Sequence, residues 1–445
     1  MRLTGARLRD AFRTNLWPIP TLGVVAALTL GIALPALDRR LGGETSEMVF
    51  GGGADAARTV LSSVAGSMIT VTSLTFSLTV VTLQLASSQF SPRLLRTFTR
   101  DLVVQGTLAI FLGTFTYALT VLRSVRTESG GEAAFVPSWS VSVAYVLAVV
   151  SVLALVYFLA HLTQTIRVES MLRSVHQGSM GQADRFAGGD RLTPDAARDL
   201  VPDRAVVLLA ASTGFLVDVD EHDLVSLARD EGAVVLLERS PGDSIIEGTP
   251  IGWVWRDDGE SWSDDDCEAF MASVCSRVST GFERTSTLDI ALGLRQLTDV
   301  AVKALSPGIN DPTTAVHALG YSSSLLCELS DVTLGPLVLR DEDDAMRVIV
   351  SRPMFGDLLA LAVEQPALYG RADPHVMQRL LMLLREVAWT AGPTAAESVS
   401  VQLGRLRRRM RAADHDPIDL EMLESAAAGV DEALDGRWDQ TGRSR

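Results

Sequence analysis

Residues Thr59 to Pro92 read TVLSSVAGSMITVTSLTFSLTVVTLQLASSQFSP, 34 positions without one charged side chain. A helix satisfies its own backbone hydrogen bonds, so about 20 apolar residues in that form cross a bilayer core. This run is long enough to span and to continue past the hydrocarbon until Pro92 interrupts it. Three other runs share its character: Thr14 to Leu37 (24 residues), Leu102 to Leu122 (21) and Ala133 to Ile166 (34, with His161 its one titratable group). They predict four transmembrane helices, near 17–37, 62–86, 102–122 and 139–161. The first follows Arg2, Arg7, Arg9 and Arg13, as a signal peptide would. Its apolar stretch is too long for one, and no convincing cleavage site follows, so it reads as a retained span.

Charge divides the 445 residues unevenly, and the length allows two or three domains. Residues 1–165 hold 12 Arg against 8 Asp plus Glu, a net of +4; the 27 basic and 46 acidic residues beyond give −19. So acidic a remainder argues against nucleic-acid binding, which needs basic surface to displace counterions. Arginine placement sets the expected orientation. The N-terminus, the 87–101 loop with Arg93, Arg96 and Arg100, and the segment after the fourth span with Arg167 and Arg173 carry the excess. By the positive-inside rule both termini are expected in the cytoplasm. Cys267, Cys275 and Cys327 show neither a disulfide framework nor metal-ligand spacing, and the six histidines form no ligand set. No metal or cofactor is expected.

The second span is crowded with hydroxyls. At helical spacing Ser63, Ser67, Thr70, Ser77, Gln84 and Ser88 fall near one face, with Leu74 and Val81 completing the row. A second row holds Thr72, Thr75, Thr79 and Thr82. Two readings compete. Hydroxyls can solvate an ion along a pathway at an oligomer axis. Equally, small residues let helices approach, and Ser and Thr bond to the preceding turn. Arg93, Arg96 and Arg100 form a positive stripe beyond the span, read as topology and lipid contact or as an anion-favouring inner mouth. No span holds Asp, Glu, Lys or Arg, which counts against a proton-coupled transporter.

Beyond residue 165 a helical extension and Gly-rich linker (166–204) lead to β-type runs between Ala205 and Trp255, with the turn Ser240-Pro241-Gly242-Asp243. From Asp264 the pattern is mainly helical: 264–279, 286–305, 312–329, 354–366, 374–391, 395–412 and 417–435, with a strand pair near 332–339 and 345–351. The expected fold is a four-helix transmembrane domain plus a cytoplasmic α+β domain, made of a β-rich module (205–260) and a helical module (261–445). The segment VQLGRLRRRMRAAD reads as a solvated basic helix end.

Two stretches, SSQFSPRLLRTF (Ser87 to Phe98) and LDIALGLRQLTDVAVKALSPGINDPTTA (Leu288 to Ala315), carry a resemblance. The chain resembles, over nearly its whole length, a bacterial predicted membrane-protein family catalogued as domain of unknown function twenty-two fifty-four. The resemblance implies an architecture in the bacterial cytoplasmic membrane, without a settled activity. Read physically, Asp289, Gln296 and Lys303 fall near one helix face, and Arg295 and Asp299 sit four apart. Ser306-Pro307-Gly308 stops that helix, and Asp311 caps the next, with Pro312 at its first position. Asp289, Arg295, Gln296, Asp299, Lys303, Asn310, Asp311, Thr313 and Thr314 together make either a capped turn with a packed polar network or a contact site for a small or anionic ligand or another subunit. No nucleophile with a positioned base, P-loop or dinucleotide fingerprint is found, so no enzyme is expected. The leading functional expectation is a homo-oligomeric channel lined by the second span, with some preference for anions. The alternative is a membrane-anchored sensor or scaffold without transport.

Overall fold

The computed structural model describes residues 17–40, 50–89, 101–127, 135–165, 167–186, 188–260, 262–285 and 288–438. The chain divides into two compact units, at Ser170 and Met171.

The first unit holds the four long apolar helices: α1 (Pro18–Arg40), α2 (Ala54–Gln89), α3 (Leu102–Leu122) and α4 (Ser138–Thr165). The third is the central member and packs against the other three. Toward α1 its sequence allows this because small or hydroxylated positions meet glycines. Gly23 of α1 meets the backbone of Ala109, and Gly31 meets Thr120, so a Cβ at either glycine would collide with α3. Without a hydrophobic drive between helices in lipid, such close approach and polar bonds hold a bundle together. Thr114 and Ser151 share a hydrogen bond of 3.1 Å between α3 and α4, and the Tyr117 hydroxyl donates to the Ser140 carbonyl at 3.0 Å. A core of Leu61, Ala65, Tyr117, Val121 and Ala144 fills one end.

The second unit begins within the amphipathic helix α5 (Val168–Phe186), which is followed by β1 (Asp190–Arg191) and α6 (Pro194–Asp199), capped by Thr193. There follow β2 (Val206–Leu209), β3 (Gly214–Val219), α7 (Glu221–Asp230), β4 (Ala233–Leu237), β5 (Ser244–Ile245), β6 (Pro250–Arg256), α8 (Asp264–Cys275) and β7 (Val278–Gly281). The helical part is α9 (Ala291–Ala304), α10 (Pro312–Leu329), the pair β8 (Leu337–Arg340) and β9 (Met346–Val350), then α11 (Phe355–Tyr369), α12 (Pro374–Ala391), α13 (Ala396–Ala412) and α14 (Pro417–Leu434).

The strands form two sheets, ordered β1-β8-β9-β4-β6-β2 and β5-β3-β7. All pairings are antiparallel except β4 with β9. The β-rich stretch therefore does not close on itself. Every residue of β4, AVVLL, is buried, because the strand is central and covered on both faces. Its partner on one side, β9, is the second strand of the pair expected near 332–339 and 345–351 within the mainly helical module. The last residues of the expected helix 264–279 likewise depart into β7, which completes the small sheet beside β3. One core, with Leu216, Val235, Ile251, Phe270 and Val348, spans both parts.

Candidate functional site

The hydroxyl stripe of α2 is an outer surface of the first unit. Ser63, Ser67, Thr70, Leu74, Ser77, Val81 and Gln84 are all exposed there. At 1.5 Å per residue the line from Ser63 to Gln84 runs about 32 Å, close to the hydrocarbon thickness of a bilayer. Among the described residues the Gln84 amide finds no hydrogen-bond partner. The second row turns the other way: Thr72, Thr75, Thr79 and Thr82 are buried within the bundle. The hydroxyls of Thr72, Thr79 and Thr82 donate to the carbonyls of Met68, Thr75 and Leu78 at 2.6, 2.8 and 2.9 Å. Burial within the bundle thus accounts for the second row; in the first row only the Thr70 side chain is bonded among the described residues, its hydroxyl donating to Gly66 O of its own helix at 3.1 Å. The side chain of Ser88, and all of Arg93, Arg96 and Arg100, lie outside the described residues.

The other outer faces differ in kind. On α1 the exposed large side chains include Leu22, Val25, Leu28 and Ile32; on α4 they include Val146, Val149, Leu153 and Val156. These are surfaces for acyl chains. Between α1, α2 and α3 lies a cavity of about 550 Å³, lined by Trp17, Pro20, Val24, Thr72, Phe76 and Leu108 among others. Its lining has no titratable group and so offers no chemistry beyond apolar contact.

At the end of the bundle where α2 finishes and α3 starts, Asp101 caps α3 through Val103 N at 2.9 Å. Its other carboxylate oxygen lies 2.6 Å from Nε2 of His161 on α4. Spacing alone does not connect the two, since 60 residues separate them. The visible signal is an Asp just before an apolar run, the pattern of a helix cap.

In the second unit, Asp289 does not share a helix face with Gln296 and Lys303 as expected. The helix starts at Ala291, and Asp289 stands in the turn before it, 3% exposed. Its carboxylate bonds Arg284 Nε at 2.6 Å. Burial pushes its pKa up, against the pull of Arg284. Gly242, at φ +94°, presses on this carboxylate, and a Cβ there would collide with Asp289 and Arg284. The turn Ser240–Asp243 and the start of the long sequence motif are thus one packed lock. Arg295, Gln296 and Asp299 are half-buried and Lys303 is exposed.

The turn between α9 and α10 is capped as the sequence predicts. Asn310 takes a left-handed conformation at φ +51°, and its amide donates to Ser306 O at 2.9 Å. Asp311 accepts from the Thr314 amide at 3.1 Å and from the Thr314 hydroxyl at 2.6 Å. These bonds hold its pKa below the usual carboxylate range. The expected bare amides are therefore occupied by the chain's own carboxylate, whose charge opposes an incoming anion. Thr313 is exposed beside it. Among the described residues no group of His, Cys, Asp and Glu is arranged to hold a metal ion.

A family model described as "Predicted membrane protein (DUF2254)" matches residues 13–386. The uncharacterized protein Rv1290c of Mycobacterium tuberculosis (strain ATCC 25618 / H37Rv) is 35% identical over 436 residues, covering 96% of this chain and 82% of that protein. The uncharacterized protein Mb1321c of Mycobacterium bovis matches to the same extent. No solved structure matches the chain.

Proposed function

The chain belongs to the predicted membrane protein family DUF2254, and on that premise we propose that it assembles through α2 into a homo-oligomeric channel. One observation carries this reading: the exposed surface of α2 carries a line of hydroxyls ending in an amide, set among apolar side chains such as Ile69, Leu74 and Val81, whereas the exposed surfaces of α1 and α4 are mainly apolar. Polar side chains facing lipid are costly, so a face of this kind is best matched to water or to another copy of itself. Subunits with four spans need rotational symmetry to enclose a pathway, and a closed ring would turn the α2 faces toward a common axis. Hydroxyls there would replace part of an ion's hydration shell. Arg93, Arg96 and Arg100 follow α2 in sequence and would favour anions at the inner mouth. In this reading both termini are cytoplasmic, the membrane is the bacterial inner membrane, and the second unit regulates without catalysing.

The test is ion flux from liposomes holding the purified full-length protein, with Ser77→Leu and Thr70→Leu beside the wild type. Both residues are exposed, so neither substitution disturbs the bundle's own packing. Flux that falls in both variants supports the reading. Unchanged flux in correctly assembled variants removes α2 from the pathway. A folded wild type that passes nothing across salts, voltages and tension removes the channel.

A further inference from the structure

Helix α13 carries Arg405, Arg407, Arg408, Arg409 and Arg411 within a unit that is otherwise strongly acidic. Their surroundings differ. Arg407 is paired with Asp431 of α14. Arg405 is paired with the Glu364 carboxylate of α11, which also accepts from Gln402 Nε2 at 3.2 Å. Arg409 donates to the Glu364 backbone carbonyl at 2.7 Å, a neutral partner. Arg408 has no hydrogen bond or ion pair among the described residues. Arg405, Arg408 and Arg409, with Ala412, line a cavity of about 320 Å³.

A basic helix end is ordinarily a solvated face, and cations in the last turn are favoured by the helix dipole. That accounts for Arg411, which is not among the residues lining the cavity. It does not account for three arginines lining one space, with Glu364 the carboxylate paired to one of them. Burial and the nearby Arg405 push the pKa of Arg409 down, so its charge is held at a cost that an anion would relieve. The volume lies at the small end of ligand sites. The lining residues are three arginines and Ala412, with no aromatic ring to stack on a base. Guanidinium forks match phosphate oxygens two at a time, which an ammonium cannot do.

We propose that the groove formed by Arg405, Arg408 and Arg409 is a binding site for a phosphate group of diphosphate size. The phosphate comes either from a soluble phosphate ester or from a lipid headgroup. The site lies beyond the residues 13–386 that the family model covers, and it does not depend on the channel reading.

Pyrophosphate titrated into the full-length protein in phosphatidylcholine nanodiscs, followed by calorimetry, tests the soluble source. Thermal unfolding in discs with and without phosphatidic acid tests the lipid source. Arg408→Gln should weaken whichever response is present by about tenfold, the loss of one charge-assisted contact. Arg408 is exposed and unpaired, so the variant should keep the wild-type melting temperature without ligand. Arg411→Gln removes the same charge outside the groove and should leave binding within about twofold, as expected for a screened surface charge. Arg409→Lys keeps the charge but loses the fork, and should weaken binding as Arg408→Gln does. A response in the pyrophosphate arm alone assigns a soluble ligand, and one in the phosphatidic acid arm alone assigns a lipid. Equal losses in Arg408→Gln and Arg411→Gln would reduce the effect to a general field and overturn the site. So would the absence of a saturable response in both arms.

Discussion

Asp311 shows how much one side chain can settle. It closes the α9–α10 turn by accepting from both the amide and the hydroxyl of Thr314. Replacing it with alanine should cost about 1 kcal/mol, the usual value of an N-cap, read as a lowered melting temperature of the full-length protein. The pH dependence has a definite sign. Its folded pKa lies below the ordinary carboxylate value. Its stabilisation is therefore present above that ordinary value and is lost as pH falls through the folded one. The gap between wild type and Asp311→Ala should be full near neutrality and close in acid. Asp289 has the opposite sign. Its pKa is raised by burial, so its contribution is full in acid and diminishes as pH rises through the raised value. At Gly242, alanine should destabilise by about 1–3 kcal/mol, because the residue combines φ +94° with contact against Asp289 and Arg284. A melting temperature unchanged in Gly242→Ala would mean that the turn and the Asp289 segment part at little cost.

At the scale of elements, α2 carries two threonine- and serine-rich rows that look alike in sequence and have opposite roles. Thr75→Leu, in the fully buried row, should reduce the yield or stability of the whole bundle, because a larger side chain has no space between helices. Ser77→Leu, on the outer row, should leave the melt alone and act on flux. If both variants lower stability equally, the outer row is packed too. Periodicity reveals that there are two rows, but which one faces the bundle depends on where α3 lies, and no local signal specifies that. Other elements were legible to the residue. The helices Pro312–Leu329 and Pro374–Ala391 have the boundaries the sequence predicts, because proline at the first position and a capping Asp bracket each start. The short strand Val278–Gly281 was not legible. It has four residues in a run that continues a helical pattern, and its strand character comes from pairing with β3.

For the whole molecule, the four spans and the α+β second unit follow from charge-free runs and hydrophobic periodicity, while the joining of β4 to β9 does not. Ladder partners so far apart leave no trace in local composition. If the α2 faces meet at a symmetry axis, cysteine at position 67 or 77 should crosslink subunits under mild oxidation, in a background where Cys267, Cys275 and Cys327 are replaced. Cysteine on α4 at position 153, exposed on an aliphatic face, should not. Equal crosslinking at both places would point to random collision in the membrane. The pairing of Val235 with Val348 also bears on biosynthesis. The sheet cannot be completed until residues 346–350 have left the ribosome, long after β4 has emerged. Until then a strand with every residue apolar offers an open hydrogen-bonding edge to neighbouring nascent chains. A chain truncated after α10 would keep that edge permanently, so premature stop codons before residue 346 should yield membrane-inserted but aggregated and proteolysed protein.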